Sequence, residues 1–128
     1  MTRLEGKVAL VTGAGTGVGA ATARLLAAKG CRVTVNYRAS QSEAEAVVGS
    51  IEESGGEAFA CQADVAEDAE ARALVEATCD RFGRLDALVN NAGTTAFIPF
   101  NDLDAVTDDV WLRLFQVNVV GAFHCARA

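Results

Sequence analysis

The feature that most constrains the fold of this chain is an alternation of short apolar runs with segments of helical periodicity that end at glycine. The first run, Lys7 to Thr12, is apolar at four consecutive positions, which is typical of a strand covered on both faces. Arg32 to Tyr37, Glu57 to Gln62 and Asp86 to Asn90 are the next predicted strands. Strands that alternate with helices of this length need crossover connections. The sequence therefore predicts an α/β fold, a doubly wound parallel sheet with helices on both faces.

Three helices separate these strands, and each carries an apolar stripe that should face the sheet. Gly30 is the expected C-terminal cap of the first helix, and Gly83 that of the third. Ser40 with Glu43 is a capping-box signature at the start of the second, and Asp64 is the expected cap of the third. The predicted inner stripes are Val18, Ala21, Leu25 and Ala28; then Ala44, Val47, Val48 and Ile51; then Ala71, Leu74, Val75, Thr78 and Phe82.

A last helix is predicted from about Asp108, after an irregular stretch that contains Pro99. Its apolar face should pack on the sheet, with Asn118 in the middle of that face and His124 on the flank. A buried amide without hydrogen-bond partners costs about 1–3 kcal/mol, so Asn118 either ties neighbouring backbone or serves a functional site. The apolar residues of this face are Trp111, Leu114, Phe115, Ala122 and Cys125.

The composition is that of one soluble globular domain over residues 1–128. Apolar residues make up 51% of the chain and charged residues 22%, which supports a buried core and excludes intrinsic disorder. A formal net charge of −6 argues against a nucleic-acid partner. No apolar run approaches the roughly 18–20 residues of a membrane span, and residues 1–6 lack the apolar stretch of a signal peptide. We therefore expect a cytoplasmic protein that binds a small molecule.

Neither disulfides nor a metal site is expected. Cys31, Cys61, Cys79 and Cys125 are spaced singly with no C-x-x-C pair, which favours buried free thiols. The only histidine, His124, has no carboxylate or thiolate partners at a ligand spacing.

A glycine-rich turn follows the first strand and opens the first helix, over Thr12 to Gly19. The carboxyl end of a parallel strand is where such sheets gather ligands, and a helix N-terminus favours phosphate. Gly13 can adopt a positive φ at the strand exit, Gly17 lets backbone N–H groups approach a pyrophosphate, and Gly19 lets the helix pack close to the strand. This arrangement predicts a dinucleotide-binding domain of Rossmann type.

The end of the second strand indicates which dinucleotide is bound. A carboxylate about 20 positions after the turn would accept hydrogen bonds from an adenosine ribose, but Asn36, Tyr37 and Arg38 stand there. No acid repels a 2′-phosphate, and the guanidinium can form a charge-assisted pair with it, so NADP is favoured over NAD. Thr16 can add a hydroxyl hydrogen bond.

These residues together resemble the short-chain dehydrogenase/reductase family. Its T-G-x-x-x-G-x-G signature is matched by Thr12, Gly13, Gly17 and Gly19, its N-N-A-G by Asn90, Asn91, Ala92 and Gly93, and its adenine-side D-V by Asp64 and Val65. Three motifs at appropriate spacing are far more specific than a glycine turn alone. On this resemblance, the chain is the N-terminal part of a single Rossmann-type domain.

The resemblance also implies roles for these positions. Asp64 and Val65 would border the adenine ring, Tyr37 and Arg38 would surround the ribose phosphate, and residues 90–93 would line the ribose and nicotinamide side. Asn118 matches the family's active-site asparagine, which helps to hold a water in a proton relay. The candidate cofactor-binding residues are Gly13, Gly15, Thr16, Gly17, Val18, Gly19, Tyr37, Arg38, Asp64, Val65, Asn90, Asn91, Ala92 and Gly93, and the candidate catalytic residue is Asn118.

The chain departs from the family pattern downstream of that asparagine, where members carry a serine and a Y-x-x-x-K. The only tyrosine here is Tyr37, the only lysines are Lys7 and Lys29, and all four serines lie between positions 40 and 54. Carbonyl reduction needs a positioned proton donor, so we expect these 128 residues to be catalytically incomplete. Because the sequence stops in mid-helix at Ala128, we expect a sheet truncated after the fourth strand and following helix, as part of a longer enzyme; a naturally short chain is the alternative.

The predicted function is hydride transfer between nicotinamide and a carbonyl or alcohol substrate by an NADP-preferring oxidoreductase. The substrate stays open among acyl-carrier-protein reductases, sugar dehydrogenases and ketoreductases. The resemblance implies a homodimer or homotetramer at full length. A non-catalytic nucleotide-binding module is the main alternative. A methyltransferase is a further one, but it usually needs an acid near position 37, and none is present.

Overall fold

The computed structural model of this chain describes residues 4–128, so residues 1–3 of the stretch considered for a signal peptide lie outside the described residues. Within residues 4–128, no helix has both the length and the apolar character needed to cross a bilayer. The strands are β1 Val8–Val11, β2 Arg32–Tyr37, β3 Glu57–Gln62 and β4 Ala87–Val89, and the α-helices are α1 Gly17–Ala28, α2 Gln41–Glu53, α3 Asp68–Phe82, α4 Asp108–Phe115 and α5 Gly121–Arg127. A 3₁₀ turn spans Leu103–Ala105, and a π-helical turn, Gln116–Val120, joins α4 to α5.

The four strands form one parallel sheet in the order β3-β2-β1-β4. In the register, Ala9 of β1 pairs with Val33 of β2 on one side and with Ala87 of β4 on the other. The predicted doubly wound sheet is confirmed. All four carboxyl ends therefore meet at one edge of the sheet, which is where ligands bind in folds of this kind.

Two hydrophobic clusters cover the two faces of the sheet. On one face, Ala9 and Val11 of β1 pack with Ala20 and Ala23 of α1 and with side chains of α2. On the other face, Leu10 packs with residues of α3 and α5. The alternation along β1 follows from the two-residue period of a strand, and every residue of β1 is buried, as the continuous apolar run predicts.

The predicted inner stripe of α1 is wrong. Val18, Ala21, Leu25 and Ala28 are exposed, and the residues that face the sheet are Gly19, Ala20 and Ala23. The helix approaches β1 so closely that only small side chains fit between them, which leaves the bulkier residues outside. The size of the side chains, and not their hydrophobicity, therefore determines which face of α1 packs on the sheet.

Two of the predicted helix caps differ from those observed. Ser40 occupies the N-cap position of α2 but makes no side-chain capping bond, and its hydroxyl lies near Gly15. Asp64 does not cap α3, which begins only after Glu67; its Oδ1 accepts from the Ala66 N–H at 3.0 Å and closes a turn ahead of the helix. The inner stripes of α2 and α3 are as predicted, with Val48 and Val75 half-buried, and Gly83 ends α3 at a φ of +81°.

The face of the last helix is predicted correctly only in part: Cys125 is buried as expected, but other residues are not. Trp111 and Phe115 are 65% and 59% exposed, while Val117, Gly121 and Cys125 face the interior. The exposed residues Trp111 and Phe115 lie before the π-helical turn, so the turn is not the cause of the error. Half-buried Leu114 and the three buried residues lie three or four positions apart, which is one regular helical stripe rotated from the predicted one. Trp111 and Leu114 line a groove of about 240 Å³ with residues 96–106 instead of contacting the sheet.

His124 is buried and does not lie on a helix flank, which corrects the prediction. Its Nδ1 lies 2.8 Å from the Val65 carbonyl oxygen, which joins α5 to the segment after β3. All four cysteines are free thiols; Cys31 and Cys125 are buried, and the other two are half-buried. Burial raises the pKa of the Cys61 and Cys125 thiols. Within residues 4–128, no three metal-ligating side chains are grouped to hold an ion.

The carboxylate of Asp68 should titrate at an unusually low pH. Hydrogen bonds from Arg72 and from Arg127 of α5 lower its pKa to about 2. A depressed folded-state pKa means that the carboxylate stabilises the fold above its unfolded pKa, and that this contribution is lost as pH falls through about 2. We expect a carboxyl NMR titration to place Asp68 there and Arg127→Ala to raise the midpoint while Arg72 still holds it below the ordinary value. An unchanged titration midpoint of Asp68 in Arg127→Ala would show that the ion pair between Asp68 and Arg127 does not lower the pKa of Asp68.

Candidate active site

A cleft of about 470 Å³ opens at the carboxyl ends of the strands. It brings together the predicted residues Gly13, Thr16, Gly17, Val18, Tyr37, Arg38, Asp64, Val65, Asn91, Ala92 and Gly93. The predicted residues Gly15, Gly19, Asn90 and Asn118 do not line it. Three motifs that are far apart in sequence thus share one cavity, because the sheet order places β1 between β2 and β4.

The exits of β1 and β4 are joined by a network of short hydrogen bonds. The buried Thr12 hydroxyl accepts from the N–H groups of Asn91 and Ala92 at 3.0 and 2.9 Å. In return, the Asn91 side-chain amide donates to the carbonyl oxygens of Thr12 and Gly13, each at 3.0 Å. The glycine turn and the N-N-A-G segment are therefore held together as one wall of the cleft.

Two glycines of the turn are required by close contacts. Gly13 has a φ of +59°, and a Cβ there would lie 2.9 Å from the Ala92 Cα. A Cβ on Gly19 would lie 2.5 Å from the Gly13 carbonyl oxygen and closer still to the Asn91 amide nitrogen. Since real Cβ atoms do not approach this closely, any side chain at Gly19 must displace the turn.

The N-terminus of α1 opens into the cleft. Gly17 has a φ of +56°, and no atom lies within 4 Å of where its Cβ would be. Thr16, at the N-cap, makes no side-chain capping bond, and the first turn of α1 carries no acidic residue. A helix end without a side-chain cap presents N–H groups and partial positive charge, which suits an anion such as a phosphate. These residues therefore fit the pyrophosphate of a dinucleotide.

The rim above β2 carries an aromatic ring and a free cation. Tyr37 is 9% exposed, and Arg38 beside it is exposed. Among residues 4–128, the Arg38 guanidinium has no ion-pair partner, whereas four other arginines of the chain do. An unpaired guanidinium at the edge of a phosphate-compatible cleft can form a charge-assisted pair with a second phosphate group.

The opposite wall is formed by Asp64 and Val65 together with α4. Asp64 Oδ2 lies 3.5 Å from the Arg113 guanidinium, and Val65 is 4% exposed. A Cβ on Gly121 would lie 2.8 Å from Val65 Cγ2, so that glycine permits the close approach of α5. Asp64 is thus held by its own turn and by an arginine that lines the same cleft.

Asn118 lies beside the cleft, in an adjoining cavity lined also by Gly93, Thr94 and Phe97. Its Oδ1 accepts from the Thr94 N–H at 2.8 Å, and its Nδ2 donates to the Thr94 carbonyl at 3.0 Å. The residue is exposed, so the expectation that it is buried on an apolar face is wrong; the buried residues beside it are Val117 and Gly121. These contacts tie backbone, and one amide hydrogen is left for a further partner.

Asn118→Leu should separate the two functions that an amide at this position can have. If Asn118 takes part in a proton relay, as the resemblance implies, the variant keeps dinucleotide affinity within about twofold and loses turnover in the whole protein. Calorimetric binding and steady-state kinetics measure the two effects. A variant that loses fold stability while its turnover per folded molecule stays unchanged would assign the amide to holding Thr94 only.

Sequence reasoning missed several residues of the cleft. The structure adds Asn36, Ala39, Ser40, Ala63, Thr94, Arg113 and Val117 to its lining. For Asn36 a signal was present, since a polar amide inside an otherwise apolar strand must find buried partners. For Arg113 the sequence carried no such signal, because the orientation of α4 depends on how this helix packs against the preceding loop.

A family model described as short chain dehydrogenase matches residues 7–128. An uncharacterized oxidoreductase of Methylorubrum extorquens is 49% identical over 128 residues, which are 100% of this chain and 50% of that protein. The short-chain dehydrogenase/reductase homolog YusS of Bacillus subtilis is 50% identical over 104 residues, 81% of this chain and 95% of that protein.

A similar solved structure is that of a short chain dehydrogenase from Burkholderia cenocepacia in complex with NADP. It is 42% identical, with a TM-score of 0.90 over 98% of this chain and 50% of that one. The chain thus spans about half the length of the Methylorubrum and Burkholderia proteins and nearly all of the Bacillus one.

Proposed function

Because the chain belongs to the short-chain dehydrogenase family, we propose that it is the nucleotide-binding part of an NADP-preferring oxidoreductase acting on a carbonyl or alcohol. The observation that carries the proposal is the cleft itself, in which the open N-terminus of α1 and Arg38, without an ion pair to any residue of 4–128, face one cavity. When bound, the nicotinamide group supplies or accepts the hydride.

The residues of the chain divide the binding between them. The N–H groups at the start of α1 hold the pyrophosphate, Arg38 and Tyr37 hold the adenosine ribose and its 2′-phosphate, and Asp64 with Val65 borders the adenine. Asn91 to Gly93 form the side nearest the nicotinamide, while Asn90 donates to the Ala122 carbonyl oxygen outside the cleft. The hydrogen bonds between Thr12 and Asn91 hold the glycine turn at a fixed distance from the segment on the nicotinamide side.

The preference for NADP follows from the charge at the end of β2. Asn36, Tyr37 and Arg38 place no carboxylate where one would hydrogen-bond an unphosphorylated ribose. Arg38 adds a positive charge at the same rim. A relative that is 42% identical is described in complex with NADP, which supports the same choice for this chain.

Proton transfer requires groups beyond those of the cleft. Tyr37, the only tyrosine, lies at the adenosine end, so it is not the acid/base of this proposal. We assign Asn118 a part in the relay and place the proton donor elsewhere in the whole protein. Because Tyr37 is the only tyrosine, one other candidate function is also favoured, a nucleotide-binding module without catalytic activity.

Large apolar side chains are exposed along α4 and suggest how the protein associates with other copies of itself. On α4, which leads into the π-helical turn that carries Asn118, Leu112 and Phe115 are 67% and 59% exposed, and Trp111 is 65% exposed. Large apolar residues exposed along one helix are typical of an interface, so we assign homodimer or homotetramer pairing to this helix in the full-length protein. We place the protein in the cytoplasm, with no nucleic-acid partner.

The proposed activity is tested by turnover of a carbonyl panel by the whole protein with NADPH or NADH. We expect oxidation of NADPH by at least one carbonyl class and much slower reaction with NADH. Binding of NADPH without turnover of any member of the panel would favour the non-catalytic module. Faster reaction with NADH would contradict the cofactor preference.

A further inference from the structure

A buried amide connects two walls of the nucleotide cleft. Asn36, in β2, is 1% exposed although it is polar. Its Oδ1 accepts a hydrogen bond from the N–H of Gly13 at 3.1 Å. That N–H belongs to a glycine with a φ of +59° at the exit of β1 and so lies outside the regular ladder between strands. The first peptide of the glycine turn is therefore held by a side chain.

The other end of the same amide reaches the exit of β3. Asn36 Nδ2 donates to the carbonyl oxygens of Cys61 and Ala63 at 3.1 and 3.2 Å, with a longer contact of 3.4 Å to the Tyr37 carbonyl. Ala63 immediately precedes the Asp64–Val65 wall of the cleft. One side chain thus spans from the phosphate end of the cleft to the adenine end, across the strand that leads to Arg38.

The chemistry of these contacts requires an amide. Gly13 offers a donor, while Cys61 and Ala63 offer acceptors, so the residue between them must both accept and donate. A carboxylate would keep the acceptor and lose both donors, and an aliphatic side chain would leave all three partners unpaired. Backbone bonds alone, such as that from the Ala14 N–H to the Asn36 carbonyl at 2.8 Å, do not engage the Gly13 N–H.

We propose that Asn36 is a positioning residue of the nucleotide site, which sets the placement of the glycine turn relative to the Asp64–Val65 wall and thereby the affinity for the dinucleotide. The inference rests on the proposed function. To the proposed function the inference adds a residue that acts through its neighbours. Substitution of this residue should change nucleotide affinity more than it changes the stability of the fold.

The test compares Asn36→Ala with Thr78→Val, a control in the same part of the fold. The Thr78 hydroxyl is hydrogen-bonded to the Thr34 hydroxyl of β2 at 3.0 Å, both residues are fully buried, and neither lines the cleft. We expect both variants of the full chain to lower Tm. We expect Asn36→Ala to weaken NADP binding about tenfold or more, and Thr78→Val to change it less than about twofold, because small misplacements of a site cost affinity steeply.

Amide hydrogen exchange supplies a readout independent of the nucleotide. In Asn36→Ala, exchange of the Gly13 amide should accelerate about tenfold relative to that of Ala14, whose backbone bond is retained. If that variant does not fold, Asn36→Ser takes its place. A wild-type Gly13 amide that exchanges at the rate of an unfolded chain would overturn the inference without any variant.

The outcomes separate this inference from the function on which it rests. Wild type that binds NADP, with a folded Asn36→Ala that binds it equally well, overturns the positioning role alone. Equal losses of affinity in Asn36→Ala and Thr78→Val would make the effect one of general stability and overturn it too. Wild type that binds neither NADP nor NAD overturns the proposed function and this inference together.

Discussion

Gly19→Ala is expected to abolish measurable NADP binding and to lower the free energy of unfolding by about 1–3 kcal/mol. The added methyl would lie 2.5 Å from the Gly13 carbonyl oxygen and nearer to the Asn91 amide, both of which are parts of the tie between β1 and β4. Relief of the clash must move the glycine turn, and the N–H groups that face the cleft move with it. Isothermal titration calorimetry and urea denaturation measure the two effects.

Gly49→Ala is the matched control for this variant. Gly49 lies in α2, and no atom is within 4 Å of where its Cβ would be. Since glycine inside a helix is destabilising relative to alanine, this change should stabilise the protein by about 0.5–1 kcal/mol and leave NADP binding unaltered. Binding by Gly19→Ala within twofold of wild type would show that the close approach of α1 is not what shapes the site.

Arg38→Glu should reduce NADP affinity by about 10- to 100-fold or more and reduce NAD affinity less than about threefold. A hydrogen bond to a charged group contributes about 1.5–3 kcal/mol, which corresponds to this range, and repulsion between carboxylate and phosphate adds to the loss. NAD lacks the 2′-phosphate, so neither the loss of the arginine–phosphate pair nor the added repulsion affects its binding. The measurement is a pair of calorimetric titrations with the two nucleotides.

Arg81→Glu controls for the change in net charge, because Arg81 lies on α3 over the Phe59 ring at 5.2 Å and does not line the cleft. It should leave both affinities near those of wild type. Arg38→Lys retains a charge without the planar fork and should give an intermediate NADP affinity. Equal losses for NADP and NAD in Arg38→Glu would remove the basis for choosing NADP.

The order of elements was predictable because each apolar run is short and each of the first three helices is followed closely by a glycine. The sheet, the stripes of α2 and α3 and the cap at Gly83 follow from local rules. The face of α1 does not, since it depends on the distance between helix and sheet, which selects Gly19 and Ala20 over Val18. Nor does the face of the last helix, which depends on how α4 packs against the loop that precedes it.

The candidate site was predictable to the extent that it rests on backbone geometry. Glycines at fixed spacing and a helix start identify a phosphate-compatible turn before any side chain is placed. The contacts of Asn36 and the exposure of Asn118 depend on which strands are neighbours and on the phase of the last helix. Those are properties of the assembled fold, which no short window of sequence contains.

The central claim, that the cleft binds NADP through the glycine turn and Arg38, is tested most directly by an NMR titration of the chain with NADP and with NAD. We predict that NADP shifts the backbone amides from Gly13 to Gly19 together with those of Tyr37, Arg38 and Val65, and that it binds at least about tenfold tighter than NAD. Tighter binding of NAD, or NADP-induced shifts confined to residues outside the cleft, would contradict the account.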